Sequence, residues 1–132
     1  MAQRRGRAWQ PPGVLLIDAA NVVGSRPDGW WRDRPGAATR LVHQVRAAAL
    51  AATLTPPVVV VLEGAARRGA EEAMVEGVEV VHAPGEGDDT LAALAAAAGG
   101  PVVLVSADRA LGERCRAAGS TVVGPRWLLA RL

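Results

Sequence analysis

The chain has 132 residues, half of them hydrophobic, with 15 basic and 13 acidic residues and a formal net charge of +2. This length fits one domain with a core of its own, and no stretch is long and uncharged enough to span a membrane. The apolar run at residues 14–17 is short and ends in Asp18, which is not the pattern of a secretory signal. The single Cys115 excludes an internal disulfide, so we expect a cytoplasmic protein.

Short Val/Ile/Leu runs alternate with segments of helical spacing along the chain. Residues 1–12 are basic and predict a flexible leader. The pattern that follows predicts a strand at 13–18, a loop at 24–36, a helix at about 36–53, a strand at 58–62, a helix at about 66–76, a strand at 78–81, a helix at about 88–98, a strand at 102–105, a helix at about 108–118, a strand at 121–123 and a helix at about 126–131. Alternating strands and helices form βαβ units, so residues 13–132 are expected to form a single three-layer α/β/α domain with a parallel sheet of about five strands.

Acidic residues recur at the ends of these predicted strands. Asp18 closes the first strand, Glu63 closes the second, and Asp108 follows the fourth. A further acidic cluster, residues 86–89, precedes a predicted helix. Because ligands of open α/β sheets bind beyond the carboxyl ends of the strands, these acids should meet in one cleft. Unpaired carboxylates repel one another there, which calls for a divalent cation.

Each acid also has a purely structural interpretation. Asp18 and Asp108 can cap the segments that follow them, and Glu63 can be a solvated loop residue. Within the acidic cluster, Asp88 can cap the helix while Asp89 occupies its first turn. Capping needs only one acid of that cluster, however, and does not explain why acids recur after three strands.

A cation at this edge of the sheet would be held by oxygen atoms. Carboxylates and the nearby amide of Asn21 suit a hard ion such as Mg²⁺ or Mn²⁺. Ser106, next to the fourth strand, adds a hydroxyl to the same region. We therefore expect Asn21 and Ser106 to give polar support to a site for one or two ions.

Arginine and tryptophan residues near the predicted cleft suggest contacts with nucleic acid. Arginine forks hold phosphate, and aromatic rings stack on unpaired bases. Alternatively, the tryptophans cover the core or form a dimer contact. All 15 basic residues are arginine, and this absence of lysine can reflect coding bias. The candidate contact residues are Arg26, Trp30, Trp31, Arg32, Arg67, Arg68 and Arg109.

Four short motifs carry a resemblance to a known superfamily. Residues 17–22, IDAANV, resemble the opening signature of PIN-like nucleases, particularly the NYN branch. Residues 62–64, LEG, resemble the strand-end acid–glycine step of the 5′-nuclease superfamily, in which aspartate is usual. Residues 86–91, EGDDTL, are similar to its Glu-Ala-Asp-Asp segment, and residues 105–109, VSADR, to its Thr/Ser-x-Asp step. The motifs occur in family order and cover about residues 14–124.

The resemblance implies a sheet of order 3-2-1-4-5 and hydrolysis of phosphodiester bonds, usually in RNA, with Mg²⁺ or Mn²⁺. It makes Asp18, Asp88 and Asp108 the catalytic metal ligands. Further ligands or supporting acids would be Glu63, Glu86 and Asp89. Position 110 is alanine where 5′ nucleases often keep another acid, and the chain lacks their helical arch and DNA clamp. These departures favour a minimal PIN/NYN ribonuclease over a structure-specific DNA nuclease.

Other functions remain open or are disfavoured by specific residues. A phosphatase has Asp-x-Asp after its first strand, but this chain has Ala20 in place of the second aspartate. A receiver domain needs a lysine, and this chain has none. The glycine-rich turn of a dinucleotide-binding domain is missing as well. The serious rival is a catalytically weak PIN-like module that binds RNA or a protein. The expected partner is RNA rather than DNA, with a homodimer or an antitoxin-like protein as further partners and no membrane.

Overall fold

A central sheet of six strands organises the computed structural model, which describes residues 13–132. The predicted leader at residues 1–12 lies outside the described residues. The strands are β1 (Val14–Asp18), β2 (Val58–Leu62), β3 (Met74–Val75), β4 (Val78–His82), β5 (Val102–Val105) and β6 (Thr121–Val123). Their order is β3-β4-β2-β1-β5-β6, with every pair parallel except β3 and β4. The five parallel strands follow the predicted order 3-2-1-4-5, so that prediction is confirmed.

Helices cover both faces of the sheet. They are α1 (Ala19–Gly24), α2 (Arg34–Leu50), α3 (Gly87–Ala97), α4 (Arg109–Ala117) and α5 (Pro125–Leu129), with 3-10 helices at Trp30–Arg32 and Gly64–Gly69. Side chains alternate along each strand, so Ile17 packs in the cluster that includes Leu41 of α2, while Leu16 packs with Leu91 of α3 and Leu111 of α4. The result is the predicted three-layer α/β/α arrangement. No helix within residues 13–132 has the length and apolarity needed to cross a membrane.

The segment between β2 and β4 differs from the prediction. A helix was expected at residues 66–76, but the 3-10 helix ends at Gly69 and the chain then forms the edge strand β3. Glu76 and Gly77 have φ values of 55° and 74°, as the type I′ turn of a two-residue β-hairpin requires. The hairpin adds a sixth, antiparallel strand that the run of polar and small residues did not reveal.

The region after Asp18 also contains more helix than predicted. The chain turns directly into α1, and the 3-10 helix at Trp30–Arg32 lies within the segment expected to be a loop. Helix α2 begins at Arg34 because the Asp33 side chain accepts a hydrogen bond from the Gly36 N–H at 2.9 Å. These short helices fix the position of the residues next to Asp18.

Candidate active site at the carboxyl ends of the strands

Asp18 lies at the centre of the site because β1 is flanked by β2 and β5 in the middle of the sheet. Its side chain is 6% exposed. One carboxylate oxygen accepts a hydrogen bond from the Asn21 N–H at 3.3 Å, and the other accepts one from the Ser106 hydroxyl at 2.8 Å. Asp18 therefore caps α1, as the structural interpretation expected, but it is also a carboxylate removed from most of the solvent.

The environment of Asp18 is electrostatically unfavourable for its charge. Burial raises the pKa of Asp18 above 3.8, the ordinary value, and the carboxylates of Glu63 and Asp88 raise it further. The hydrogen bonds from Ser106 and Asn21 act in the opposite direction and lower the pKa of Asp18, without reversing the shift. Glu63, at the end of β2, and Asp88, at the start of α3, are therefore near enough to Asp18 to act on its pKa.

A hydrogen-bond network joins the end of β1 to the loop after β5. The Ser106 Oγ accepts a hydrogen bond from the Asp108 N–H at 3.0 Å while its own proton points to Asp18. The Asn21 side-chain oxygen accepts a hydrogen bond from the Ala107 N–H at 2.7 Å. Ser106 and Asn21 therefore hold the two halves of the site at a fixed spacing.

Asp108 has the capping role that one interpretation gave it. It precedes α4, and its Oδ1 accepts a hydrogen bond from the Leu111 N–H at 2.9 Å. This bond uses one of the two carboxylate oxygens, and the side chain is half-buried. The network through Ser106 connects Asp108 to Asp18.

The acidic cluster before α3 separates into residues with different surroundings. Helix α3 begins at Gly87, so Glu86 occupies the capping position and Asp88 lies within the first turn; the interpretation of Asp88 as the cap is wrong. Glu86 is exposed and its side chain makes no capping hydrogen bond. Asp89 is exposed and forms an ion pair with Arg114 of α4 at 3.0 Å. Asp88, half-buried, is the member of the cluster that acts on the pKa of Asp18.

Gly87 allows the Glu63 carboxylate to approach the start of α3. A Cβ atom added at Gly87 would lie 2.9 Å from the Glu63 Oε1, closer than ordinary packing permits. The residue is buried, so the carboxylate oxygen and the helix terminus share one confined space. Sequence reasoning did not select Gly87, although its place inside the acidic cluster was a usable signal.

The donor set fits a hard cation in kind, since it consists of carboxylate, amide and hydroxyl oxygens. Among residues 13–132, however, no group of three or more His, Cys, Asp or Glu side chains is already closed to ligand spacing. The acids converge on Asp18 without forming a finished coordination shell. Binding an ion would therefore require side-chain rotation, for which half-buried Glu63 and Asp88 are better placed than Asp18.

Trp30 and Trp31 lie outside the two core clusters of the described residues, whereas Trp127 packs against the core. The Trp30 and Trp31 rings are 5.9 Å apart and meet edge to face at 88°. Arg34 lies over the Trp30 ring at 5.3 Å, and Arg32 over the Trp31 ring at 5.7 Å. Trp31 is 56% exposed, whereas Trp30 is half-buried.

The remaining candidate arginines differ in how they are held. Arg67 donates hydrogen bonds to the carbonyl oxygens of Gly64 at 3.1 Å and Ala83 at 3.4 Å, so it ties the loop after Glu63 to the end of β4. Arg26 donates to the Gln44 side chain at 2.8 Å. The side chains of Arg68 and Arg109 are exposed.

A cavity of about 180 Å³ adjoins the acidic site. Its wall includes Ala20 and Val23 of α1, Trp30, Arg34 and, on the side of the acids, Glu63. Since Glu63 also acts on the pKa of Asp18, the cavity and the acidic site share a wall.

Comparison with known proteins supports the fold. No protein-family model matches the chain, and no curated protein matches it in sequence. Among solved structures, a crystal structure of a mutant of Rae1 (YacP) from Bacillus subtilis is similar, with a TM-score of 0.67 and 20% sequence identity over 90% of this chain and 74% of that chain. The chain therefore shares with Rae1 a single α/β domain whose mostly parallel sheet is flanked by helices on both faces.

Proposed function

We propose that this protein is a Mg²⁺- or Mn²⁺-dependent nuclease that hydrolyses phosphodiester bonds in RNA. The observation that carries the proposal is the environment of Asp18, a buried carboxylate at the end of the central strand whose pKa is raised by burial and by Glu63 and Asp88. A divalent cation would neutralise this repulsion. An acid in a cleft whose pKa is shifted by burial and by neighbouring charges is also typical of a functional site.

The proposed ligands are Asp18, Glu63, Asp88 and the uncapped oxygen of Asp108. Glu86 and Asp89 are given an outer role, because the first is exposed without a side-chain capping bond and the second is paired with Arg114. When bound, the ion would supply the acidity that activates water at neutral pH and a counter-charge for the phosphate.

The chain's own side chains would orient the reactants. Ser106 and Asn21 keep Asp18 and the Asp108 loop in register through the hydrogen bonds described above. Exposed Arg68 and Arg109 are free to approach phosphate oxygens.

A single-stranded substrate is the better match to the surface beside the acids. Trp30 and Trp31, with Arg26 and Arg32 in the same segment, would contact such a strand, and Arg67 would act by holding the Glu63 loop. Unpaired bases stack on aromatic rings, and a duplex offers no unpaired bases. RNA is preferred over DNA on the resemblance to the PIN and NYN proteins.

The test is cleavage of single- and double-stranded RNA and DNA in Mg²⁺, Mn²⁺ or EDTA. Asp18→Asn is compared with Asp28→Asn, which makes the same change at an exposed loop residue. We expect cleavage of RNA that requires metal, survives in Asp28→Asn and is lost in Asp18→Asn. Cleavage by Asp18→Asn at the parent rate would show that the assigned site is wrong.

A second candidate function is a PIN-like module that binds RNA or a protein with little catalysis. The open arrangement of the acids and the ion pair that engages Asp89 favour it. Binding of RNA without cleavage in either metal would establish this function, and unfolding measured with and without Mn²⁺ would then show whether the acids still bind an ion.

A further inference from the structure

The cavity beside Glu63 has a lining that is unusual for a site next to repelling acids. Most of its wall is apolar, formed by small side chains of α1 and by the Trp30 ring, with Arg34 and Glu63 as its charged members. Trp30 faces this cavity, whereas Trp31 does not line it. The two adjacent tryptophans therefore have different surroundings.

Two neighbouring side chains contact the Trp30 ring. Arg34 lies 5.3 Å from its centre, and the Trp31 ring meets it edge to face. A ring fixed in this way offers a surface for stacking without the entropic cost of ordering it on binding. A half-buried tryptophan outside the core clusters is thus prepared for contact with a planar ligand.

The chemistry of the wall selects the part of a nucleotide that fits. A phosphate group would be attracted by Arg34 but repelled by Glu63, and the alanine and valine side chains that make up most of the wall offer it no further donors. A nucleobase has an apolar face for Trp30 and a polar edge that meets charged groups at the rim. Because Glu63 borders both the cavity and the acidic site, a base held there would belong to a nucleotide close to the reacting phosphate.

We propose that this cavity binds one unpaired nucleobase of the substrate strand, stacked on Trp30, and so positions the adjoining phosphate at the acids. The inference rests on the proposed nuclease function. It assigns Trp30 a positioning role and Trp31 a lesser one. It also requires an unpaired nucleotide beside the cleavage point, since a paired base cannot enter the cavity.

Binding is measured first, in EDTA, with an oligonucleotide of eight uridines and with the same sugar–phosphate chain lacking bases. Loss of one stacked base weakens binding by roughly 5- to 160-fold. We therefore expect Trp30→Ala to raise the Kd for the uridine chain about tenfold, Trp31→Ala to raise it far less, and neither to change binding of the chain without bases. Equal effects of the two substitutions, or equal losses with both ligands, would overturn the proposal.

Two further variants keep the test decisive if Trp30→Ala folds poorly. Trp30→Phe retains an aromatic face and should restore most of the binding. Ala20→Leu leaves Trp30 intact and adds bulk at an exposed position of the cavity wall, so it should weaken binding as Trp30→Ala does. Parent-like binding by Ala20→Leu would contradict the assignment of the cavity.

Cleavage then separates this inference from the proposed function. A series of substrates is used, each lacking the base at one position on either side of the cleavage point. For the parent protein, KM should rise when the missing base is at one position near the cut. For Trp30→Ala, KM should rise at no position. Metal-dependent cleavage with the same KM wherever the base is missing would support the nuclease function and refute the cavity assignment. Base-dependent binding through Trp30 without any cleavage would support the cavity and refute the nuclease.

Discussion

Ser106 is the residue whose replacement tests the site most directly. Its side chain is 3% exposed, and its hydroxyl donates to the Asp18 carboxylate at 2.8 Å while accepting from the Asp108 N–H at 3.0 Å. A hydrogen bond to a charged group contributes about 1.5–3 kcal/mol and a neutral one about 0.5–1.5 kcal/mol. Ser106→Ala should therefore lower the free energy of unfolding by about 2–4 kcal/mol. At roughly 4 °C per kcal/mol for a domain of this size, Tm should fall by about 8–16 °C.

Ser120 provides a matched control for this substitution. It is also buried, at 8% exposed, but its Oγ has no hydrogen-bond partner among residues 13–132. Ser120→Ala removes the same atom and breaks no bond, so the free energy of unfolding should change by less than about 0.5 kcal/mol or rise. The difference between the two variants isolates the hydrogen bonds of Ser106 from the general effect of removing a buried hydroxyl.

The assay is urea and thermal unfolding in EDTA at pH 7, followed by circular dichroism. Ser106→Ala is also measured in the Asp18→Asn background, where it should cost less because the partner of the stronger bond is no longer charged. Equal shifts for Ser106→Ala and Ser120→Ala would refute the reasoning. So would a full cost for Ser106→Ala in the Asp18→Asn background, since the coupling to the carboxylate would then be missing.

Three further predictions concern Asp18 and the acids around it. Because the pKa of Asp18 is raised in the folded state, the native protein holds this proton more tightly than the unfolded chain does. The free energy of unfolding of the parent should therefore fall as the pH rises from 3.8 through that raised pKa. Asp18→Asn should lack this fall and should be more stable than the parent in EDTA at pH 7. Gly87→Ala should displace the Glu63 carboxylate and lower cleavage while changing stability by less than about 1 kcal/mol, because a flexible side-chain end absorbs the clash; unchanged cleavage would remove Glu63 from the site. Asp89→Asn breaks an exposed ion pair with Arg114, so the free energy of unfolding should fall by less than about 1 kcal/mol and most of the cleavage activity should remain. Asp88→Asn should abolish cleavage. Equal losses of activity in the two variants would place Asp89 among the ligands.

The meeting of Asp18, Glu63 and Asp88 could be predicted because it depends on topology more than on detail. Parallel strands place their carboxyl ends at one edge of the sheet, and each strand was recognisable as a short Val/Ile/Leu run. Strand β2 is buried along its whole length, as an uninterrupted VVVVL segment predicts. The order of the strands came from the resemblance to PIN-like proteins, since periodicity alone does not specify it.

Features that depend on exact boundaries could not be predicted in the same way. Whether Asp88 or Glu86 precedes α3 is decided by a shift of two residues, and that shift determines which acid faces Asp18 and which one reaches Arg114. Boundaries are the least reliable part of a sequence-based prediction. The hairpin at Glu76–Gly77 was missed for a related reason, because no alternating hydrophobic pattern flanks its turn on the β3 side.

Capping and ligand binding turn out not to be competing explanations for these acids. An ionised carboxylate has two oxygens with about four acceptor positions, and a capping bond uses one of them. Asp108 caps α4 through Oδ1, and Asp18 accepts one bond on each oxygen, so both keep acceptor positions for a cation. Capping also fixes the rotation of each carboxylate, which lowers the entropic cost of binding an ion. The same bonds that a purely structural interpretation would cite therefore orient Asp18 and Asp108 for the proposed site.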